Sequence, residues 1–302
     1  MASALWILTL ASLAASPTLP LEALPASARQ ATDAPTLQAL EFNWTREALI
    51  TGVGGALWIG SEALLKGTLA PKTCRWCDRA ADGTDTLNGV DRWARGVAGQ
   101  SEQSRKRWGT ASDVTDFAVL PLGVLGAQYL LSSGSGAPPR YFAEDATIIV
   151  ESAVVAAVAN QVVKFSVGRE RPFVHVLPED EKSLTAHPTD NNLSFYSGHT
   201  SLAFSLVTAA GTVSELRGYK NRWLIWAVGL PAAASVGLMR MGADKHYLTD
   251  VLVGAAAGTL FGVGVPLLLH GRQPSPQGQG KSTDLSMRMG GNLGGISLSG
   301  RF

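Results

Sequence analysis

Three short stretches of this 302-residue chain group residues that bind anions or move protons. Lys164 and Arg171 stand seven positions apart, with Pro172 next. Such a pair can hold oxygens of one phosphate, the guanidinium through its planar fork and the ammonium as a point charge. It reads equally as a basic helix end facing anionic headgroups. If the helix continued, both would share a face about two turns apart. Pro172 disfavours the α region at Arg171 and predicts the helix end there. In the second stretch, Tyr196-Ser197-Gly198-His199 precedes an apolar run. Ser197 is a candidate N-cap, the first-turn N–H groups offer an anion site, and Gly198 lets that backbone come close. His199 would then be able to protonate a leaving oxygen; a capped helix start with an incidental histidine is the plainer reading. In the third, Arg240 precedes His246 and Asp250, which are four apart and would stack on one helix face. A carboxylate that accepts the Nδ1–H leaves Nε2 free to attack, although an ordinary surface His–Asp pair has the same spacing.

The elements that must position these groups are long apolar runs at about 46–66, 116–132, 143–167, 198–216, 222–241 and 246–270. Strand-like alternation is absent apart from a weak pattern at 293–302, so the expected fold class is all-α: a bundle of about six long helices, membrane-embedded. Segments 223–239 and 251–269 carry no charge and are long enough to cross roughly 30 Å of hydrocarbon. Gly254, Gly258 and Gly262 recur every four residues, placing three glycines on one face where another helix can approach closely. In an up-down bundle the loops 164–197 and 240–245 fall at one end, so the three stretches can meet. The opposite loop, 217–222, carries Arg217, Lys220 and Arg222 and reads as cytoplasmic.

Taken together, the three stretches resemble the signature of the type 2 phosphatidic acid phosphatase (PAP2) superfamily, K-x6-RP, then PSGH, then SR-x5-H-x3-D. Lys164–Pro172 matches the first motif in full; Tyr196 replaces the proline of the second, and Met239 the serine of the third. The resemblance covers about residues 143–269. It implies hydrolysis of a phosphomonoester or pyrophosphate of a membrane lipid, through a phosphohistidine and without a metal or other cofactor. His246 would be the nucleophile, Asp250 its orienting group and His199 the leaving-group acid. Lys164, Arg171, Ser197, Gly198 and Arg240 would surround the phosphoryl oxygens. The missing serine removes one hydrogen bond to phosphate. The superfamily also holds soluble bacterial class A acid phosphatases and vanadium haloperoxidases, so a soluble periplasmic phosphatase and a vanadate-dependent halide oxidase are the alternatives. A non-catalytic membrane scaffold that binds headgroups is a fourth reading.

Composition bounds these readings. Lys+Arg 25 against Asp+Glu 24 supplies no electrostatic footprint for nucleic acid, and charged residues reach only 16% against roughly 25% in an ordinary soluble domain. Cys74 and Cys77 are too few for a four-cysteine zinc site, and their CxxC lacks a βαβ context; a local disulfide is the expected state. No cluster shows the sequence spacing of a divalent-metal motif. Residues 1–28 read as a secretory signal or leader, 29–45 as a linker, 46–270 as the phosphatase domain and 271–302 as a flexible Gly/Ser-rich tail. The expected location is a bacterial-type inner membrane with the site facing the periplasm, a soluble periplasmic or secreted protein being the alternative. One conflict stands: six spanning helices with this orientation put the N-terminus inside, whereas a cleaved signal puts it outside.

Overall fold

The computed structural model describes residues 37–98 and 101–273. Long helices dominate these residues, and the β pairing among them is limited to isolated bridges such as Leu40 with Arg272 and Trp76 with Arg169. The leader, the first part of the linker and nearly all of the tail, including the alternating 293–302 segment, lie outside the described residues.

Helix α1 (Trp44–Ala63) starts where the Asn43 side chain accepts from the N–H groups of Thr45 and Arg46. A one-turn helix α2 (Gly89–Ala94), capped by Asn88, follows within the charged segment. Helix α3 (Glu102–Val114), capped by Ser101, runs through a π-helical turn at Thr115–Val119 into α4 (Leu120–Gly134). Segment 67–113, between the first two apolar runs, is therefore partly helical, and the apolar run at 116–132 is the second half of a longer helix. Polar residues hid the first half because it carries no apolar stripe, only a capping serine with Glu102 in its first turn. Helix α5 (Pro139–Val167) enters through Pro138 and Pro139 and ends at Gly168, whose φ of 63° is the left-handed cap that glycine accommodates. Helices α6 (Gly198–Arg217), α7 (Trp223–Gly242) and α8 (Leu248–Leu269) complete the bundle close to the expected bounds.

Helix α6 is the central one: Ser201, Ala203, Ser205, Val207, Ala210 and Val213 are all buried. The glycine stripe of α8 packs on it. A Cβ at Gly254 would stand 2.6 Å from the Ser197 carbonyl oxygen, and at Gly258 2.2 Å from that of Ser201. Only glycine permits this approach. Four of the described helices, Glu102–Gly134, Pro139–Val167, Trp223–Gly242 and Leu248–Leu269, are long and apolar enough to cross a membrane. Their outer faces carry Leu122, Leu130, Val228, Leu238, Leu260 and Leu268, each between 62% and 73% exposed. Large apolar side chains exposed to this degree along helices of membrane-spanning length mark a surface that meets lipid or protein rather than water.

The end opposite the three stretches is tied together by the chain on either side of the bundle. Gln38 N–H donates to the Arg217 carbonyl at 3.0 Å, Glu41 N–H to Gly271 at 2.9 Å and Gln273 N–H to Ala39 at 2.9 Å. The described part of the linker is thus pinned.

Candidate active site

The last turn of α5, the start of α6, the end of α7 and the residues just before α8 gather around a cavity of about 460 Å³. Lys164, Arg171, Gly198, His199, Arg240 and His246 all line it. Ser197 and Asp250 are fully buried and outside that lining.

Lys164 and Arg171 do not share a helix face, because α5 stops at Val167; Arg171 lies in extended backbone (φ −76°, ψ 151°) before the one-turn helix Pro172–His175. Pro172 thus opens a short helix, and Gly168 ends the long one. Arg171 and Arg240 are 5% and 4% exposed, yet the Nε of each is buried without a hydrogen-bond partner. A buried donor left unpaired costs about 1–3 kcal/mol, more when charged. A tetrahedral oxyanion in the cavity would satisfy both guanidinium groups. At Gly198 an added Cβ would lie 2.7 Å from Asn160 Oδ1 and 3.6 Å from Lys164 Nζ, so glycine lets the ammonium stand beside the α6 N-terminus. The Ser197 hydroxyl serves as the N-cap and sits 2.9 Å from Thr200 Oγ1. That oxygen caps the helix start, and Ser197 lies outside the cavity lining.

The His246–Asp250 relation also differs from the expected one. His246 precedes α8 instead of beginning it, so the two do not stack as i,i+4 helix neighbours. Its Nδ1 is 2.7 Å from the Ser194 carbonyl oxygen and 3.8 Å from Asp250 Oδ2. An Nδ1–H donated to Ser194 fixes the tautomer and leaves the Nε2 lone pair free for the cavity. Asp250 acts one step back: its Oδ2 accepts from Ser194 Oγ at 2.6 Å and from the Tyr247 N–H at 3.0 Å, and its Oδ1 from Arg169 Nη1 at 2.7 Å. Burial, with Arg171 and Arg240 nearby, pushes the His246 imidazole well below its ordinary pKa, so it is held neutral.

Arg169 was given no role from sequence. It is fully buried, salt-bridged to Asp78 at 3.0 Å, Asp91 at 2.8 Å and Asp250 at 2.7 Å, and sandwiched between the rings of Trp76 and Tyr247 at 4.2 and 4.1 Å. This cluster fastens the 76–91 segment to the start of α8. Cys74 and Cys77, at the start of that segment, are joined by a disulfide.

Sequence reasoning also missed the acidic wall. Asp113 Oδ1 is 2.9 Å from His199 Nε2 and 3.1 Å from Arg240 Nη1, while Phe117 meets the His199 ring edge-on at 5.1 Å. Asp116, in the π-helical turn, is fully buried with neither carboxylate oxygen paired. A π turn inside a long helix is a frequent mark of a functional site. The available signal was an acidic pair just before the uncharged run 117–139, since ionisable groups beside lipid-length apolar segments are functional candidates. Lys245, Asp190, Lys66 and Glu62 line the cavity too. Lys66 pairs with both Glu62 and Asp190. Burial raises the Asp190 pKa, but Arg171 and Lys66 outweigh it and hold the carboxyl at about 2.

Residues 145–274 match the PAP2 superfamily. This segment is a PAP2 domain. It supplies the histidines and the three cations named from the motifs, whereas Trp58, Ile59, Glu62, Lys66, Asp113, Asp116 and Phe117, all cavity-lining, precede the PAP2 domain in the chain. Among solved structures, the chain is similar to a transmembrane PAP2-type phosphatidylglycerolphosphate phosphatase from Bacillus subtilis, with 14% identity and a TM-score of 0.40 over 72% of this chain and 93% of that one.

Proposed function

We propose that this protein is an integral membrane phosphatase that hydrolyses a lipid phosphomonoester or pyrophosphate through a phosphohistidine. The observation that carries the reading is the pair of buried, unpartnered guanidinium donors on Arg171 and Arg240, which share one cavity with two imidazoles. The phosphoryl oxygens would be held by Arg171, Arg240, Lys164 and the free amide of Gly198, opposing charge as it develops. His246 Nε2 attacks phosphorus, the bond to the leaving oxygen breaks, and His199 gives that oxygen its proton. Asp113, 2.9 Å from His199 Nε2, orients the ring. Water then attacks the phosphohistidine, His199 takes the water proton, and the P–N bond breaks to return neutral His246. Asp250 serves as a positioning residue through Ser194.

Trp58, Ile59, Phe117 and Leu202 give the same cavity an apolar wall suited to the first carbons of a lipid chain. That wall and the apolar exterior favour a membrane substrate over the soluble acid phosphatase reading. The test is phosphate release by detergent-purified protein from phosphatidate, phosphatidylglycerol phosphate, an isoprenyl pyrophosphate and p-nitrophenyl phosphate. Release persists in EDTA, stops with vanadate, and falls by about 10²–10⁴ in His199→Ala. No release from any of the four by the wild type, or bromide oxidation dependent on vanadate, overturns the reading.

A further inference from the structure

At the other end of the bundle the fold gathers three titratable side chains that the phosphatase chemistry does not use. Glu47 near the start of α1, Glu151 in the middle of α5 and His270 just after α8 are each fully buried, and their ligand-capable atoms lie within 4.8 Å of one another. His270 Nε2 is 2.9 Å from Glu151 Oε2 and 4.0 Å from Glu47 Oε2. Two of the carboxylate oxygens, Glu47 Oε2 and Glu151 Oε1, are buried without a partner. Glu47 Oε1 is already engaged by Arg46, at 2.7 Å from Nη2 and 2.9 Å from Nε.

We propose that Glu47, Glu151 and His270 bind a divalent first-row transition cation. His270 Nδ1 is 3.0 Å from the Glu41 carbonyl oxygen. A ring N–H donated there fixes the tautomer with the Nε2 lone pair toward the carboxylates, the outer-shell arrangement that metal-bound histidines ordinarily have. Without a cation, Nε2 and Glu151 Oε2 need a proton between them at 2.9 Å, and an unpaired carboxylate oxygen is left beside them. With one, three anionic or neutral donors point at a single charge, and bonds of about 2.0–2.2 Å span the gap after a small rotation of the carboxylates. One nitrogen and two carboxylate donors suit zinc or manganese. Helices α1, α5 and the end of α8 would be clamped together by it. Glu151 and Lys164 are thirteen residues apart on α5, about 20 Å, so this cation stands clear of the phosphate cavity.

The experiment uses full-length protein in detergent, stripped with chelator, dialysed against zinc chloride or manganese chloride, and measured for metal content and unfolding temperature. The wild type retains about one cation per chain and melts higher than the stripped protein. Glu47→Gln and Glu151→Gln, isosteric changes, bind at least tenfold more weakly and lose the thermal gain; His246→Ala, in the other cavity, keeps both. Should Glu151→Gln fail to fold by circular dichroism, Glu47→Gln at the margin of the bundle carries the test alone. A wild type that retains neither metal, or a folded Glu47→Gln that holds it as well as the wild type, overturns the proposal. These readouts are independent of phosphate release, so failure here does not bear on the phosphatase reading.

Discussion

Lys245 is discharged more easily than an ordinary lysine: burial, reinforced by Arg171 and Arg240, lowers its pKa to about 8. A lysine whose pKa is lowered is charged below that value and neutral above it. Attraction for a phosphate dianion therefore weakens as pH rises through 8. KM for p-nitrophenyl phosphate rises between pH 7 and 9 in the wild type; in Lys245→Met it is higher at pH 7 and rises less steeply. A wild-type KM that is flat across this interval contradicts the assignment. At this scale the sequence disclosed the groups that face phosphate, because their types and intervals are dictated by chemistry: Lys164, Arg171, Gly198, His199, Arg240 and His246 reach one cavity. It did not disclose their supporting partners. Asp113 meets His199 across 86 positions and Arg240 across 127, and Arg169 meets Asp91 across 78, distances over which no local spacing rule operates. Nor could spacing show that Ser194 O, and not Asp250, receives His246 Nδ1, since that depends on where α8 begins.

The element that decides the site's geometry is the contact between α6 and α8, whose N-termini carry Gly198 and Asp250. Their close approach depends on the glycine stripe, legible as a four-residue repeat before any partner was known. Gly258→Ala places a methyl group against the Ser201 carbonyl, a backbone atom that cannot rotate aside. The helices must separate, at a cost of about 1–3 kcal/mol. Thermal unfolding in detergent should register a loss of several degrees, with a fall in kcat because the two helix starts shift together. Gly264→Ala, where an added Cβ meets nothing within 4 Å, serves as the control. Equal stability of Gly258→Ala and wild type would show that the stripe does not set this contact. Helix existence was readable from long apolar runs, but α3 was not, since a polar helix that continues an apolar one has no periodic signal of its own.

Over the whole molecule, the cavity lies at one end and the described start of the chain at the other, with Gln38 bonded to Arg217. The orientation argued from the 217–222 loop rests on less charge than its sequence implies. Arg217 is fully buried and paired with Asp145 and Glu144, and Arg222 pairs with Glu215. Lys220 remains exposed there, and a disulfide at Cys74–Cys77 suits an oxidising compartment. A cavity that faces away from the cytoplasm would put Gln38 on the cytoplasmic side. With the native cysteines paired, an introduced thiol is the sole reactive one. A membrane-impermeant maleimide on intact spheroplasts should label Ser183→Cys and not Lys220→Cys until the membrane is opened. The reverse pattern would place the cavity in the cytoplasm.

The central claim is that one cavity holds phosphorus between two imidazoles with separate tasks. Rapid acid-free quenching of purified protein with ³²P-labelled lipid phosphate, followed by peptide mapping, tests it most directly. The account predicts acid-labile label on the peptide that carries His246, absent in His246→Ala, and still formed by His199→Ala from p-nitrophenyl phosphate, whose leaving group needs no proton. Label on any other residue, or undiminished turnover by His246→Ala, would contradict it.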